Sequence, residues 1–169
     1  MPVLPKRPDG PAKVLVIDDE YGARLQVELA IMTSDVVELV GEASNGMTGA
    51  ERAEELQPDV IVLDLSMPVM DGFEAIPLLR TIVPRATILI RSNNDDPDAA
   101  AQAFRLGAAG YIQKMASPDA LRTSIEEAAT RSTPATELLT DARSLEPRGH
   151  GRPRERARDV RRLGRHVRH

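Results

Sequence analysis

Five short apolar runs alternate with five helix-like segments along this chain of 169 residues. The apolar runs, most of them rich in Val, Ile or Leu, cover residues 13–17, 36–43, 60–63, 87–90 and 110–113. The segments that follow them, with the spacing and boundary residues of helices, cover residues 21–33, 47–57, 72–83, 97–106 and 118–131. This alternation predicts an α/β fold, (βα)5, in which helices cover both faces of a parallel sheet.

Two of the predicted helices carry details that a structure can test. In the first helix, Leu25, Leu29 and Met32 fall on one stripe, which predicts the face that packs on the sheet. In the third helix, Pro77 lies more than a turn inside the segment. Because proline lacks an amide hydrogen and crowds the preceding turn, it predicts a late start or a kink.

The candidate site residues follow four of the five predicted strands, at the point where each strand ends. They are Asp18, Asp19 and Glu20 after the first strand, Asp64 after the third, Ser92 after the fourth and Lys114 after the fifth. In open parallel sheets the carboxyl ends of the strands form one edge, and ligands bind there. The sequence therefore predicts that three acids of the first strand, Asp64, a hydroxyl and a lysine share one site.

The chemistry of such a site follows from its charges. Two carboxylates about 4 Å apart repel by roughly 4 kcal/mol at an effective dielectric constant of about 20, so the cluster needs a cation. The chain has no cysteine, and its histidines all lie at or beyond residue 150. With only oxygen ligands, Mg²⁺ is favoured before Ca²⁺. With Lys114 and Ser92 holding phosphate oxygens, Asp64 would be the nucleophile that forms an aspartyl phosphate.

Three separate segments resemble the receiver domain of bacterial two-component response regulators. They are Lys-Val-Leu-Val-Ile-Asp-Asp-Glu at 13–20, Asp-Val-Ile-Val-Leu-Asp-Leu-Ser-Met-Pro-Val-Met-Asp-Gly at 59–72 and Gly-Ala-Ala-Gly-Tyr-Ile-Gln-Lys at 107–114. The last of them, extended to residue 121, is most similar to the NarL/LuxR-type subfamily. The resemblance covers residues 12–131 and implies a flavodoxin-like, doubly wound sheet with strand order 2-1-3-4-5.

The resemblance also implies a role for each site residue. Asp64 accepts the phosphoryl group, and Mg²⁺ is held by Asp18, Asp19, Asp64 and the backbone carbonyl of Ser66, with Asp19 the more direct ligand of the first pair. Lys114 contacts the phosphoryl group, whereas Ser92 and Tyr111 take the places of the switch hydroxyl and the switch aromatic. Ser66 and Asn94 tune the lifetime of the phosphate.

Three positions depart from the family pattern. Asn93, beside Ser92, stands where a small residue is usual, and its larger amide is expected to slow the access of phosphoryl donors. Met115 follows Lys114 where many members have proline. Arg91 places a charge at a strand position that is normally apolar.

The two ends of the chain differ from its centre. Residues 1–11 are rich in proline and lack the apolar core of a signal peptide, so we expect a flexible lead of a cytoplasmic protein. Residues 132–169 hold 10 Arg and 5 acids with few apolar residues, which favours a disordered basic tail. The segment that starts at Pro153 is too short for a complete helix-turn-helix. An Arg-rich tail can still bind nucleic acid through its phosphates, so DNA binding stays an open alternative.

The expected function is that of a signalling protein and not of an enzyme with its own substrate. A sensor histidine kinase would phosphorylate Asp64, and the face formed by the fourth helix, the fifth strand and the fifth helix would then control an output, such as transcription or a homodimer. No membrane partner is expected. The main alternative is a pseudo-receiver that is not phosphorylated and acts as a scaffold. A phosphatase with an aspartyl nucleophile fits less well, because Ser66 stands where that chemistry has a second Asp.

Overall fold

The computed structural model describes residues 10–131, so the predictions for the proline-rich lead, apart from its last two residues, and for the basic tail lie outside the described part. Five strands alternate with five helices, as predicted. In chain order they are β1 Ala12–Ile17, α1 Tyr21–Ile31, β2 Val37–Ala43, α2 Gly46–Leu56, β3 Val60–Leu63, α3 Gly72–Ile82, β4 Thr87–Ser92, α4 Pro97–Leu106, β5 Gly110–Gln113 and α5 Pro118–Arg131. Within this part of the chain, no helix is long and apolar enough to cross a membrane.

The strands form one parallel sheet in the order β2-β1-β3-β4-β5, which confirms the predicted topology. β1 lies between β2 and β3, so the chain reverses its direction of winding after the second strand. The central strands are in simple register, with Ile17 opposite Leu63 and Leu63 opposite Ile90. This register aligns the carboxyl ends of β1, β3 and β4 at one edge of the sheet.

Side chains alternate between two apolar cores, one on each face of the sheet. On one face, Leu and Ile residues of the central strands pack against α2, α3 and α4. On the other face, residues such as Val14 and Val62 pack against α1 and α5, where Val27 and Ile125 are buried. Because both faces are covered, the central strands read as continuous apolar runs in the sequence.

The first helix buries a different stripe from the predicted one. Leu29 and Met32 are exposed, and the buried residues of α1 are Ala23, Val27, Ala30 and Ile31. The stripe prediction was therefore wrong. The buried residues follow the helical period, but two of the four are alanines, whose small apolar area made this stripe less visible in the sequence than the one with Leu29 and Met32.

The third helix begins earlier than Pro77 suggested. Asp71 accepts a hydrogen bond from the Glu74 amide at 2.9 Å, and the Glu74 side chain accepts one from the Asp71 amide at 3.1 Å. This capping box fixes the start of α3 at Gly72, the first residue of the predicted segment. Of the two consequences expected from Pro77, the late start was therefore wrong, and the kink stays a prediction. β4 in turn runs two residues beyond the predicted strand and includes Arg91.

Candidate phosphoryl-acceptor site

Two of the predicted acids lie side by side at the carboxyl edge of the sheet. Asp18 and Asp64 each follow the paired residues Ile17 and Leu63, and the Asp64 amide donates a hydrogen bond to the Ile17 carbonyl at 2.9 Å. Both carboxylates are buried, with 2% and 3% of the residue exposed. Since two buried carboxylates repel each other, this pair requires a positive partner.

Lys114 supplies that positive partner. Its Nζ lies 3.0 Å from Asp18 Oδ2 and 3.3 Å from Asp64 Oδ2, and only 8% of its side chain is exposed. Glu20 completes the group, with its Oε1 3.4 Å from the same Nζ. The residue after β5 thus reaches across β4 and β3 to bind acids that follow β1 and β3, as the aligned strand ends predicted.

The environment shifts the titration of both partners. Burial raises the pKa of Asp64 from 3.8 to about 6; the charge of Asp18 adds to this shift, and the charge of Lys114 opposes it. For Lys114, burial alone would lower the pKa, but the hydrogen bond and charges of Asp18 and Asp64 outweigh it, so its pKa is raised. The carboxylate at position 64 is therefore basic for an aspartate and faces a lysine that stays charged. That is the electrostatic arrangement of a nucleophile beside a cation that binds oxyanions.

The loop after β3 folds tightly over Asp64. The Gly72 amide donates to the Leu65 carbonyl at 3.0 Å, and a Cβ on Gly72 would lie 2.3 Å from the Asp64 carbonyl oxygen, so only glycine fits. The Ser66 amide lies 3.4 Å from Asp64 Oδ1 and lowers the pKa of Asp64 slightly against the larger effects of burial and Asp18. The loop thereby fixes Asp64 with its carboxylate toward the open side of the sheet edge.

Acidic oxygens suited to a hard cation gather next to Asp64. Asp18, Asp19 and Glu20 each offer a carboxylate oxygen, and these oxygens lie within 4.8 Å of one another. Asp18 is buried and holds Lys114, whereas Asp19 is exposed. The donors are all oxygens, which fits Mg²⁺. The ligand roles assigned to Asp18, Asp19, Asp64 and the Ser66 carbonyl stay predictions.

One of the two predicted switch residues, Ser92, borders the same site. A cavity of about 350 Å³ opens beside Asp64 and is lined by Glu20, Asp64, Ser66, Ser92, Asn93, Asn94 and Lys114. Ser92 is buried, and its Oγ accepts a hydrogen bond from the Asn94 amide at 3.2 Å. Tyr111 does not line the cavity. Its hydroxyl donates instead to the Asn94 carbonyl, so the aromatic ring is tied to the loop that follows Ser92.

Two residues have roles in this arrangement that the sequence did not assign. Glu20 was placed at the edge of the sheet without a function, yet it contacts Lys114 and lines the cavity. Arg91 was noted only as an unusual charge, yet it donates a hydrogen bond to the backbone carbonyl of Lys114. A charged residue in an apolar strand was the available signal, but its partners come from α1 and β5 and are distant in sequence.

A five-stranded parallel sheet in this order, with acids, a hydroxyl and a lysine at its carboxyl edge, defines the class of receiver domains. The family model for the response regulator receiver domain matches residues 14–126. The chain belongs to this family.

Individual relatives agree with the family match. The chain is 38% identical over 130 residues to the nitrate/nitrite response regulator protein NarL of Escherichia coli K12, an alignment covering 77% of this chain and 60% of that protein. It is 32% identical over 117 residues to the chemotaxis protein CheY of Listeria monocytogenes, covering 69% of this chain and 98% of the relative. The signal receiver domain of NarL from Mycobacterium tuberculosis superposes with a TM-score of 0.67 at 30% identity, over 75% of this chain and 98% of that one.

Proposed function

We propose that this chain is the phosphoryl-accepting component of a two-component system and that Asp64 carries the phosphoryl group. The observation that supports this most directly is the buried pair of Asp18 and Asp64 bridged by Lys114 beside an open cavity. Stability alone does not explain these charges, because well-packed apolar side chains can often replace a buried ion pair without loss of stability. The cavity gives a phosphoryl group access to the Asp64 carboxylate.

The reaction that fits these groups is an in-line displacement at phosphorus. A carboxylate oxygen of Asp64 forms a bond to the phosphorus atom of a phosphohistidine in a histidine kinase, and the phosphorus–nitrogen bond breaks. The imidazole leaves with the bonding electron pair and takes up a proton, and an acyl phosphate remains on Asp64. Its pKa of about 6 leaves Asp64 mostly ionised at neutral pH, so the attacking oxygen is available.

The chain's own residues would stabilise the new charge. Lys114 Nζ, already 3.3 Å from Asp64 Oδ2, would move its contacts from the carboxylate to a phosphoryl oxygen. Mg²⁺, held by Asp18, Asp19, Asp64 and the Ser66 carbonyl when bound, would neutralise carboxylate and phosphoryl charge. Positioning and charge neutralisation supply most of the rate in reactions of this kind.

Phosphorylation would then reach the surface through the loop after β4. The Ser92 hydroxyl would turn toward a phosphoryl oxygen, and the segment from Asn93 onward would follow it. Because Tyr111 donates to the Asn94 carbonyl, a shift of this loop repositions the aromatic ring on β5. The face formed by α4, β5 and α5 would thereby change, and it would control a homodimer or a transcriptional output, since the relative from E. coli is a response regulator.

Mass measurement after chemical phosphorylation tests the proposal. The full chain is incubated with Mg²⁺ and acetyl phosphate, and its intact mass is recorded. We expect one phosphoryl group on the wild type, none on Asp64→Asn, and a wild-type result for Asp59→Asn, a control acid at the opposite end of β3. A folded wild type that gains no mass and does not bind Mg²⁺ would contradict the proposal and favour a scaffolding pseudo-receiver.

A further inference from the structure

Arg91 is a buried charged side chain near the carboxyl end of β4. Only 2% of the residue is exposed. Leu89, two residues earlier on β4, packs in the core beneath α1 and α5, so the alternation of the strand places Arg91 on that same face. A buried guanidinium is costly unless its hydrogen bonds are satisfied, so its partners indicate what it does.

The guanidinium joins three elements of the fold. Nη1 donates to the Ala23 carbonyl at 3.0 Å, and Nη2 donates both to the Gln26 side chain and to the Lys114 carbonyl, the latter at 3.3 Å. The first two partners belong to α1, and the third is the residue that follows β5. Nε is buried without a hydrogen-bond partner among the described residues. An apolar side chain would avoid the cost of burying this unpaired donor, so packing alone does not explain an arginine here.

These contacts fix the backbone of Lys114 on both sides. Its amide donates to the Ser92 carbonyl at 3.0 Å, and its carbonyl accepts from Arg91. Both partners are on β4, which pairs with β3 beside Asp64. The next residue, Met115, is 88% exposed and offers no packing to hold the turn. The position of the Lys114 backbone is therefore set by β4.

The same row of the sheet holds the acids that Lys114 binds. Extending the register of Ile17, Leu63 and Ile90 by one residue places Asp18, Asp64 and Arg91 side by side on three adjacent strands. Burial lowers the pKa of Arg91, while the charges of Asp18, Asp64 and Glu20 act in the opposite direction. Arg91 thus lies under the site without lining its cavity.

We propose that Arg91 is a positioning residue of the phosphorylation site, which holds the Lys114 backbone so that Nζ stays on the side of Asp18 and Asp64. This inference rests on the proposed function of Asp64. The competing explanation is that Arg91 only ties α1 to the sheet. The two explanations predict different effects of mutation. The contact with Gln26 connects Arg91 only to α1, whereas the contact with the Lys114 carbonyl connects it to the site.

Arg91→Met and Arg91→Lys test the inference in the full chain. Methionine keeps an unbranched apolar stem and removes all donors, whereas one ammonium of lysine cannot span the three acceptors that the guanidinium reaches. The initial rate of phosphoryl gain from acetyl phosphate is measured at saturating Mg²⁺. We expect both variants to be slower by roughly tenfold, a typical coupling between residues in contact. Gln26→Leu, the matched control that removes only a contact to α1, should keep the wild-type rate.

A double-mutant cycle and an NMR signal show whether Arg91 acts through Lys114. In a Lys114→Met background, Arg91→Lys should change the rate less than about twofold, because the group it positions is gone. The chain has only three lysines, Lys6, Lys13 and Lys114, so the ¹³Cε signal of Lys114 is readily assigned. We expect this signal to move in both Arg91 variants and to stay in place in Gln26→Leu.

The outcomes separate the two levels of the proposal. If the wild type gains no phosphoryl group, the proposed function of Asp64 fails, and the NMR signal alone then tests the contact between Arg91 and Lys114. If the wild type is phosphorylated and either Arg91 variant keeps the wild-type rate and Lys114 signal, the positioning role is overturned. An equal loss of rate with and without Lys114, or in Gln26→Leu, also overturns it. If Arg91→Met does not fold, Arg91→Lys provides the same comparison.

Discussion

The two ends of the central strand β3 carry acids of opposite character. At the amino end, Asp59 Oδ2 accepts a hydrogen bond from the Lys13 amide at 2.8 Å, so its charge satisfies the backbone of β1. At the carboxyl end, Asp64 is buried next to Asp18, and burial together with that neighbour raises its pKa to about 6. The first acid is tied to the backbone of β1, whereas ionisation of the second, Asp64, destabilises the fold.

Under the proposed function, this difference means that the carboxyl end of β3 is less stable because Asp64 is placed there for phosphoryl transfer. A group whose pKa is raised in the folded state binds its proton more tightly there than in the unfolded chain, so its ionisation above that pKa lowers the free energy of unfolding. Nothing about folding requires a carboxylate at position 64, because the neighbouring strand positions are apolar and well packed. A carboxyl group whose pKa is strongly raised by burial and a neighbouring charge is typical of a functional site.

Asp64→Asn should give the largest effects. It should abolish phosphorylation by acetyl phosphate, because an amide is not a nucleophile, and in metal-free buffer at about pH 7.5 it should raise the free energy of unfolding by about 2 kcal/mol. This gain should shrink as the pH falls through about 6, and it should vanish only well below 3.8, where the wild-type carboxyl is protonated in both states. Urea denaturation at several pH values measures it. A variant less stable than the wild type at pH 7.5 would contradict the electrostatic comparison.

Mg²⁺ should reverse the destabilisation of this edge. At 100 times its Kd, a ligand that binds only the folded state adds about 2.7 kcal/mol to the free energy of unfolding, so the melting temperature should rise on titration with MgCl₂. Asp19→Asn should weaken this response more than Asp18→Asn, because the family resemblance implies that Asp19 is the more direct Mg²⁺ ligand. Glu38→Gln on β2 is a control that removes an acid elsewhere. Equal responses in all variants would show that the cluster does not hold the ion.

The sequence predicted most of this edge because its positions follow from strand ends. Four of the five strand ends carried the candidate residues, and parallel pairing brings them together. The tie between Tyr111 and Asn94, the contacts of Glu20 and those of Arg91 could not be predicted, because they depend on side-chain directions between elements far apart in sequence. The exposed face of α1 was misassigned for a related reason. Two of its four buried residues are alanines, whose apolar area is small, and so the larger Leu29 and Met32 dominated the pattern.

Asp59→Ala should have a smaller effect of the opposite sign. It removes the charge-assisted bond to the Lys13 amide and leaves that donor without this partner, so the free energy of unfolding should fall by about 1–2 kcal/mol. Phosphorylation should be unchanged, since Asp59 lies at the other end of β3. Asp59→Asn keeps an acceptor and should lose less stability. A change in the rate of phosphorylation with either variant would break the distinction between the two ends.

The smallest expected effects on the free energy of unfolding come from backbone strain near the two ends of β3. Among the described residues, Gln57 before β3 and Val69 after it are the non-glycine residues with positive φ, at 48° and 71°. Gln57 caps α2, and its Nε2 donates to the Glu54 carbonyl at 2.9 Å, whereas Val69 is β-branched and exposed. A β-branched residue tolerates this region poorly, so Val69→Gly should raise the free energy of unfolding by about 0.5–1 kcal/mol. Gln57→Gly should gain less, because it loses its hydrogen bond. Thermal melts of both variants measure the difference, and a larger gain at Gln57 would show that strain is not concentrated in the loop beside Asp64.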